Sequence, residues 1–535
     1  MSQTAATIIA NRLAAQGCRH AFGMPGGEVV VLLEALESAS VRFTLCKHEN
    51  NAGYMAEGSW QATGAPGILL TTIGPGLANA INSIANAFQE QVPLIVLSGC
   101  IDRAEAESFT HQVIDQSALL APVTKAQFRV AEDTAAAVID KAISIAMSDP
   151  PGPVHIDLPY NLAGTAASDR QISALVSAKG YWPDDQSRRQ AINLLENSRK
   201  PILVAGIGAV HHRAGPAIKA LCEKFSMPLV TTYKAKGIVA EDHPLCLGGH
   251  GLSPLSDQSI LPLLRESDCV VLAGYDPIEM RSGWCHPWDP AVAIEISHCD
   301  TNHGMHGSAM RFVGDVAGSV RQLNDCSTTG DEVWTDQAPQ KARATVEDSF
   351  RERSHWGPHQ VFATLQRELP SAAVVTVDSG AHRILLTQMW RCNRPLSLLQ
   401  SCAFCTMGIS LPLAAGYKYA SPDTTVVAVV GDAGLEMVIG EMATLRDRGI
   451  NIIIVVLVDE SLALIELKQR RSELPNAGVN FGGTDFVALA QAYGGYGAWV
   501  EDAESLAREL SRAAGLNSFS LLACRVARKG YDGAF

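Results

Sequence analysis

The chain has 535 residues, enough for about three or four domains. Its 42 basic against 55 acidic side chains leave a net charge of −13, which argues against a nucleic-acid surface, since that needs basic stripes. Apolar residues at 47% and charged residues at 18% exclude a disordered chain.

The elements can be read in chain order. Thr7 to Gly17 has helical spacing, and strands are predicted at Thr44–Glu49, Gly67–Ile73, Pro93–Ser98 and Val154–Leu158. A looser stretch, Gly164 to Ser187, carries no long apolar run. Alternation resumes at Ile202–Gly206, Leu229–Thr232, Cys269–Ala273 and Val292–Ile296. After a second polar stretch, Asn324 to His355, come Val374–Asp378, Thr425–Asp432, Asn451–Asp459 and Ser520–Val526. Strands alternating with helices imply α/β architecture, here three doubly wound parallel-sheet domains at 1–165, 185–325 and 355–535. The longest apolar runs, such as Ile452 to Val458, fall far short of the roughly 18 residues of a membrane span. Met1 to Gly17 lacks the basic stretch and cleavage site of a secretory signal. Thirteen scattered cysteines read as reduced thiols, so a cytoplasmic protein is expected.

Ligands of such folds sit at the carboxyl ends of strands. The strand Val426 to Val430 ends in Gly431-Asp432-Ala433-Gly434, a helix is predicted from Leu435 to Asp447, and a second strand ends in Asp459-Glu460-Ser461. If the two strands are neighbours, about 4.8 Å apart, Asp432 and Asp459 can converge on one hard cation. Mg²⁺ takes such carboxylates together with phosphate oxygens, and a backbone carbonyl at the Ser461 turn could add a ligand. The helix start after Gly431 and Gly434 would turn amides toward phosphate. Taken alone, a Gly-Asp at a strand end is an ordinary βα turn.

The spacing of 27 positions from Asp432 to Asp459 resembles the metal–diphosphate motif of thiamine diphosphate enzymes. Ala433 and Asp459 stand where that motif usually has glycine and asparagine. Lys47-His48-Glu49, after a strand, is similar to the family's activating glutamate segment, and Thr71 to Ala80 to its following loop and helix. The resemblance implies a pyrimidine-binding domain, a middle domain and a diphosphate-binding domain in that order. It implies that Glu49 hydrogen-bonds the aminopyrimidine ring. It further implies that the Ser379-Gly380-Ala381-His382 turn, with Gly431 to Gly434, Ser461 and Leu462, contacts the diphosphate. Met407, in Cys405 to Pro412, would wedge between the two cofactor rings. Asp432, Asp459 and Ser461 would hold Mg²⁺, and the site would be shared in a homodimer or homotetramer.

Within the family, Lys47 to Ala52, Thr110 to Asp115, Pro122 to Lys125, Gly274 to Glu279 and Val313 to Asp315 resemble catabolic acetolactate synthases. That likeness implies ligation of two pyruvates, with Gln112 and His111 near the reacting 2-oxoacid. The Ile114-Asp115-Gln116 turn also resembles benzaldehyde lyase, and benzoylformate decarboxylase shares the architecture. A non-catalytic paralogue would be expected to lose Glu49 or a metal aspartate. Gly206-Ile207-Gly208 is a truncated dinucleotide fingerprint, so FAD is not favoured and a nicotinamide less so. Cys402 and Cys405 form a lone CxxC that favours neither zinc nor redox work. His211 and His212 are expected on a loop.

Overall fold

The computed structural model describes residues 3–170, 185–301, 303–325, 327 and 333–535. It contains three six-stranded, all-parallel sheets. The first holds β1 (His20–Met24), β2 (Arg42–Leu45), β3 (Gly67–Thr71), β4 (Leu94–Cys100), β5 (Ala126–Arg129) and β6 (Val154–Pro159). Its spatial order is β2-β1-β3-β4-β6-β5. The middle sheet holds β7 (Pro201–Ala205), β8 (Leu229–Thr231), β9 (Cys246–Gly249), β10 (Cys269–Ala273), β11 (Ala293–Ser297) and β12 (Met310–Val313). It runs β9-β8-β7-β10-β11-β12. The last holds β13 (Val374–Val377), β14 (Leu398–Leu399), β15 (Val426–Gly431), β16 (Ile453–Val458), β17 (Tyr496–Val500) and β18 (Ser520–Arg525), in the order β14-β13-β15-β16-β18-β17. The first and last domains therefore share one strand order, and the middle domain has another. Runs such as Val426 to Val430 and Ile454 to Val456 are almost fully buried, as sheets covered on both faces require.

The first and last domains meet along two helices, Glu49–Thr63 and Ser410–Ala420. Glycines set their separation. A Cβ on Gly58 would lie 2.2 Å from the Leu413 carbonyl oxygen, and one on Gly416 would lie 2.0 Å from that of Met55. Only hydrogen fits at either position.

Three expectations need correction, and one stretch left unassigned proves helical in part. Glu49 does not end a strand: β2 stops at Leu45, and Glu49 opens the helix, where the helix dipole favours a carboxylate. His48 caps that helix, its Nδ1 accepting the Asn50 amide at 3.1 Å. The helix expected from Leu435 to Asp447 is two, Asp432–Glu436 and Glu441–Arg448, and the break leaves Met437 62% exposed rather than in the core. The polar stretch before residue 355 contains a helix, Ala338–Ser349. His211 closes the helix Ile207–His211, its ring nitrogens buried, where desolvation and the Lys234 charge push its pKa down to about 3. His212 bonds Asp149 at 3.0 Å. Of the Gly164 to Ser187 stretch, residues 171–184 lie outside the described residues. Among the described residues no helix is long and apolar enough to cross a membrane, and the cysteines are free thiols.

Candidate active site

β13, β15 and β16 lie side by side, and the register pairs Gly431 with Leu457, so the turns after β15 and β16 are adjacent. A cavity of about 830 Å³, counting its open mouth, lies at these strand ends. Around it stand Ser379 to His382, Met407, Gly431 to Gly434, Asp459, Ser461 and Leu462. The candidates nominated in this part of the sequence thus converge on one space.

Backbone amides orient the two aspartates. Asp432 Oδ2 accepts the Asp459 amide at 3.1 Å and the Glu460 amide at 2.7 Å, while Oδ1 accepts the Ala433 amide at 2.9 Å. Asp459 Oδ1 accepts the Ser461 amide at 3.0 Å. Both side chains are buried, and burial raises the Asp432 pKa although these amides oppose it. Burial and then the Asp432 charge push Asp459 up to about 8. Arg528, whose charge eases Asp459, has its guanidinium bonded to the Glu460 carbonyl at 2.7 Å and Asn480 at 3.2 Å. Two crowded carboxylates in low dielectric favour a shared cation.

Opposite charge chemistry faces them. Ser379 Oγ, His382 Nε2 and Ser461 Oγ are buried without a hydrogen-bond partner. Burial and the neighbouring Arg383 hold the His382 pKa down to about 3, so its ring is neutral and has one N–H to offer. Buried polar atoms are seldom left orphaned. Three around one cavity suit the oxygens of a bound phosphate, and the donor set fits a diphosphate held beside a hard cation.

The first domain presents a different edge. Glu49 is buried, with Oε2 accepting from Asn79 Nδ2 at 3.0 Å. A Cβ on Gly76 would lie 3.4 Å from Glu49 Oε1, and one on Gly74 would lie 2.4 Å from the Gln112 carbonyl oxygen. Glu49 and Gln112 therefore flank the Gly74–Gly76 turn after β3. Gln112 and His111 are both exposed, Gln112 at φ 59°. Glu49, His111 and Gln112 do not border the cavity of their own chain.

Comparison with known proteins decides the family. The descriptions "Thiamine pyrophosphate enzyme, N-terminal TPP binding domain", "central domain" and "C-terminal TPP binding domain" match residues 3–119, 188–323 and 378–524, in that order. The chain belongs to the thiamine pyrophosphate enzymes. It is 26% identical to an acetolactate synthase of Bacillus subtilis (strain 168) over 96% of this chain and 91% of that protein. It is 27% identical to a catabolic acetolactate synthase of Raoultella terrigena, covering 97% and 94% respectively. Against the large subunit of acetolactate synthase isozyme 1 of Escherichia coli (strain K12) it is 28% identical, covering 87% and 83%.

This thiamine pyrophosphate enzyme also uses residues that the sequence left unmarked. Asp378, read only as the end of a strand, accepts the Gly408 amide on Oδ2 and the Ile409 amide on Oδ1, both at 3.0 Å. It fixes the loop that carries half-buried Met407. Burial pushes its pKa up to about 6 despite those amides. A Cβ on Gly434 would lie 2.0 Å from Asp378 Oδ2, which explains glycine there. Tyr531 also borders the cavity, and the tail that carries it is tied down by Arg470 and Asp532 at 2.5 Å. No periodicity or motif marks Tyr531. Gln116, four residues after Gln112, is the buried glutamine, accepting the Gly74 amide at 2.8 Å and donating to Asp157 at 2.5 Å.

Proposed function

We propose that this chain catalyses decarboxylative ligation of 2-oxoacids in the cytoplasm, joining two pyruvates to 2-acetolactate with release of one CO₂ and uptake of one proton. The observation that carries the reading is the pair of buried carboxylates, Asp432 and Asp459, facing the unpartnered Ser379, His382 and Ser461 in one cavity. The names of the relatives support the choice of reaction.

Thiamine diphosphate, when bound, supplies the nucleophilic carbon and the electron sink through which a 2-oxoacid loses CO₂. The chain supplies the rest. Asp432 and Asp459, with the Ser461 turn, would hold Mg²⁺. Ser379, His382 and Ser461 would donate to phosphate oxygens, beside the backbone of Gly380, Ala381, Gly431, Ala433 and Gly434. Met407, on the loop that Asp378 anchors, and Leu462 would give the apolar contacts that exclude water. Glu49 would hydrogen-bond the aminopyrimidine ring. Gln112 and His111, exposed on the same edge as Glu49, would orient the 2-oxoacid.

Glu49 and the cavity belong together in this chemistry but do not meet within one chain. We infer a homodimer, or a homotetramer built from such dimers, in which one protomer's Glu49 faces its partner's cavity. Exposed apolar side chains on both edges support this: Met437 and Ile465 by the cavity, Ile114 beside Gln112.

Incubation with pyruvate and, separately, with benzoylformate tests the reaction, with products identified by mass spectrometry. Acetolactate from pyruvate is the expected result. Benzaldehyde from benzoylformate with pyruvate inert would instead make the protein a decarboxylase of the benzoylformate type. Retention of the cofactor with no turnover of any 2-oxoacid would instead make it a non-catalytic cofactor-binding paralogue.

A further inference from the structure

We propose that the middle domain carries a second metal site, for a divalent first-row transition ion, formed by Glu295, His303 and His306. One ligand atom from each lies within 4.8 Å of the others. The three come from two pieces of chain. Glu295 stands on β11, an internal strand between β10 and β12, and the two histidines, spaced i and i+3, lie in the segment before β12.

His306 is the strongest sign. Its side chain is only 2% exposed, yet both ring nitrogens lack a hydrogen-bond partner. Its Nε2 is 3.8 Å from Glu295 Oε2, too long for a hydrogen bond but a natural separation for two atoms bridged by an ion. The ring is packed against Trp288 and Tyr275, with centroids at 5.0 and 5.3 Å, so it has little freedom to seek another partner. His303 Nδ1 accepts the Met305 amide at 3.2 Å, a contact that puts the proton of a neutral ring on Nε2, so ligation by His303 would require the ring to give that contact up.

The Glu295 carboxylate also accepts from the Ser308 hydroxyl at 2.9 Å and pairs with Arg311 at 3.3 Å, which hold it in place. Two imidazoles and one carboxylate select Zn²⁺ and its neighbours over Mg²⁺, which prefers oxygen alone. The set leaves coordination positions for water. Binding would pin the 303–306 segment to the middle sheet and stabilise the native state by mass action. None of these residues borders the diphosphate cavity, so the inference does not depend on the proposed reaction.

The full chain, stripped with chelator and kept in excess Mg²⁺ to fill the oxygen site, would be titrated with Zn²⁺ against a chromophoric competitor. Co²⁺ would be added in parallel and its visible absorption recorded. The proposal expects one ion per chain that Mg²⁺ does not displace, and Co²⁺ bands of low coordination number. His306→Ala and His303→Gln should each weaken binding by at least about tenfold and remove the bands. Asp432→Ala should leave them in place. His303 is partly exposed, so its replacement is the milder one, and His303→Gln serves as the test if circular dichroism shows His306→Ala unfolded. No tight ion in the wild type, or unchanged affinity and bands in folded His303→Gln, would overturn the proposal.

Discussion

The first and last domains use one strand order for opposite tasks. Both switch direction between their first and third strands, and both place their candidate residues at strand ends. In the last domain those ends hold two buried carboxylates, of which Asp432 raises the pKa of Asp459, and three buried donors with no partner. In the first domain Glu49 is paired with Asn79, and Gln116 with both Gly74 and Asp157. On the proposed reading the unsatisfied edge would bind the cofactor and the satisfied edge would position one acid. The fold is neutral between the two, and the side chains at the turns decide.

This contrast can be broken most severely at Asp432. Asp432→Ala removes a carboxylate from the proposed cation and the acceptor for three amides, so retention of cofactor with Mg²⁺ should fall by at least about 100-fold, measured by calorimetry. Next comes Glu49→Gln, which keeps the shape of the paired edge. Turnover should drop by about 10²- to 10⁴-fold while cofactor affinity stays within a few-fold of wild type. Undiminished turnover would remove Glu49 from the chemistry.

A pH titration sharpens the same distinction. The Asp459 carboxyl ordinarily ionises near 3.8 and is pushed up to about 8 in the metal-free fold. Its proton is held more tightly folded than unfolded, so metal-free stability should fall as pH rises from about 4 through 8. Cation binding needs the ionised pair, so affinity for Mg²⁺ should rise with pH and level off above 8. Thermal melts of the metal-free protein between pH 6 and 9 check the first trend. Asp459→Asn should flatten both trends. The smallest effect is structural: Gly58→Ala puts a methyl 2.2 Å from the Leu413 carbonyl and should cost about 1–3 kcal/mol in a denaturant melt.

Legibility in the sequence followed the same divide. The buried β-branched runs of β15 and β16 announce themselves, and with them the turns at Asp432 and Asp459. Strands with mixed or short patterns do not. His20–Met24 contains a histidine and a glycine, Leu398–Leu399 is two residues long, and Tyr496–Val500 alternates too weakly to stand out. The domain count survives such misses because the best strands of each sheet carry the pattern. Asp378 and Tyr531 were illegible as site residues for another reason. Asp378 acts on Gly408, 30 positions away, and Tyr531 is brought to the cavity from the C-terminal tail, and no local spacing encodes either. The helix at Glu441–Arg448 was displaced because the chain turns at Gly440, whose side-chain position faces Lys47 of the first domain at 3.4 Å.

In the proposed assembly the paired edge of one protomer completes the unpaired edge of another. Mixing two inactive variants puts this to the test. Glu49→Gln and Asp432→Ala homodimers would be purified separately, mixed, partly dissociated and reassociated, with exchange verified by native mass spectrometry. A mixed dimer holds one site with both Glu49 and Asp432 intact, so random exchange should restore about one-quarter of wild-type activity. A mixture that stays inactive, although mixed dimers are present and both parents are folded, would place Glu49 and Asp432 in the same chain's site and contradict the shared-site reading.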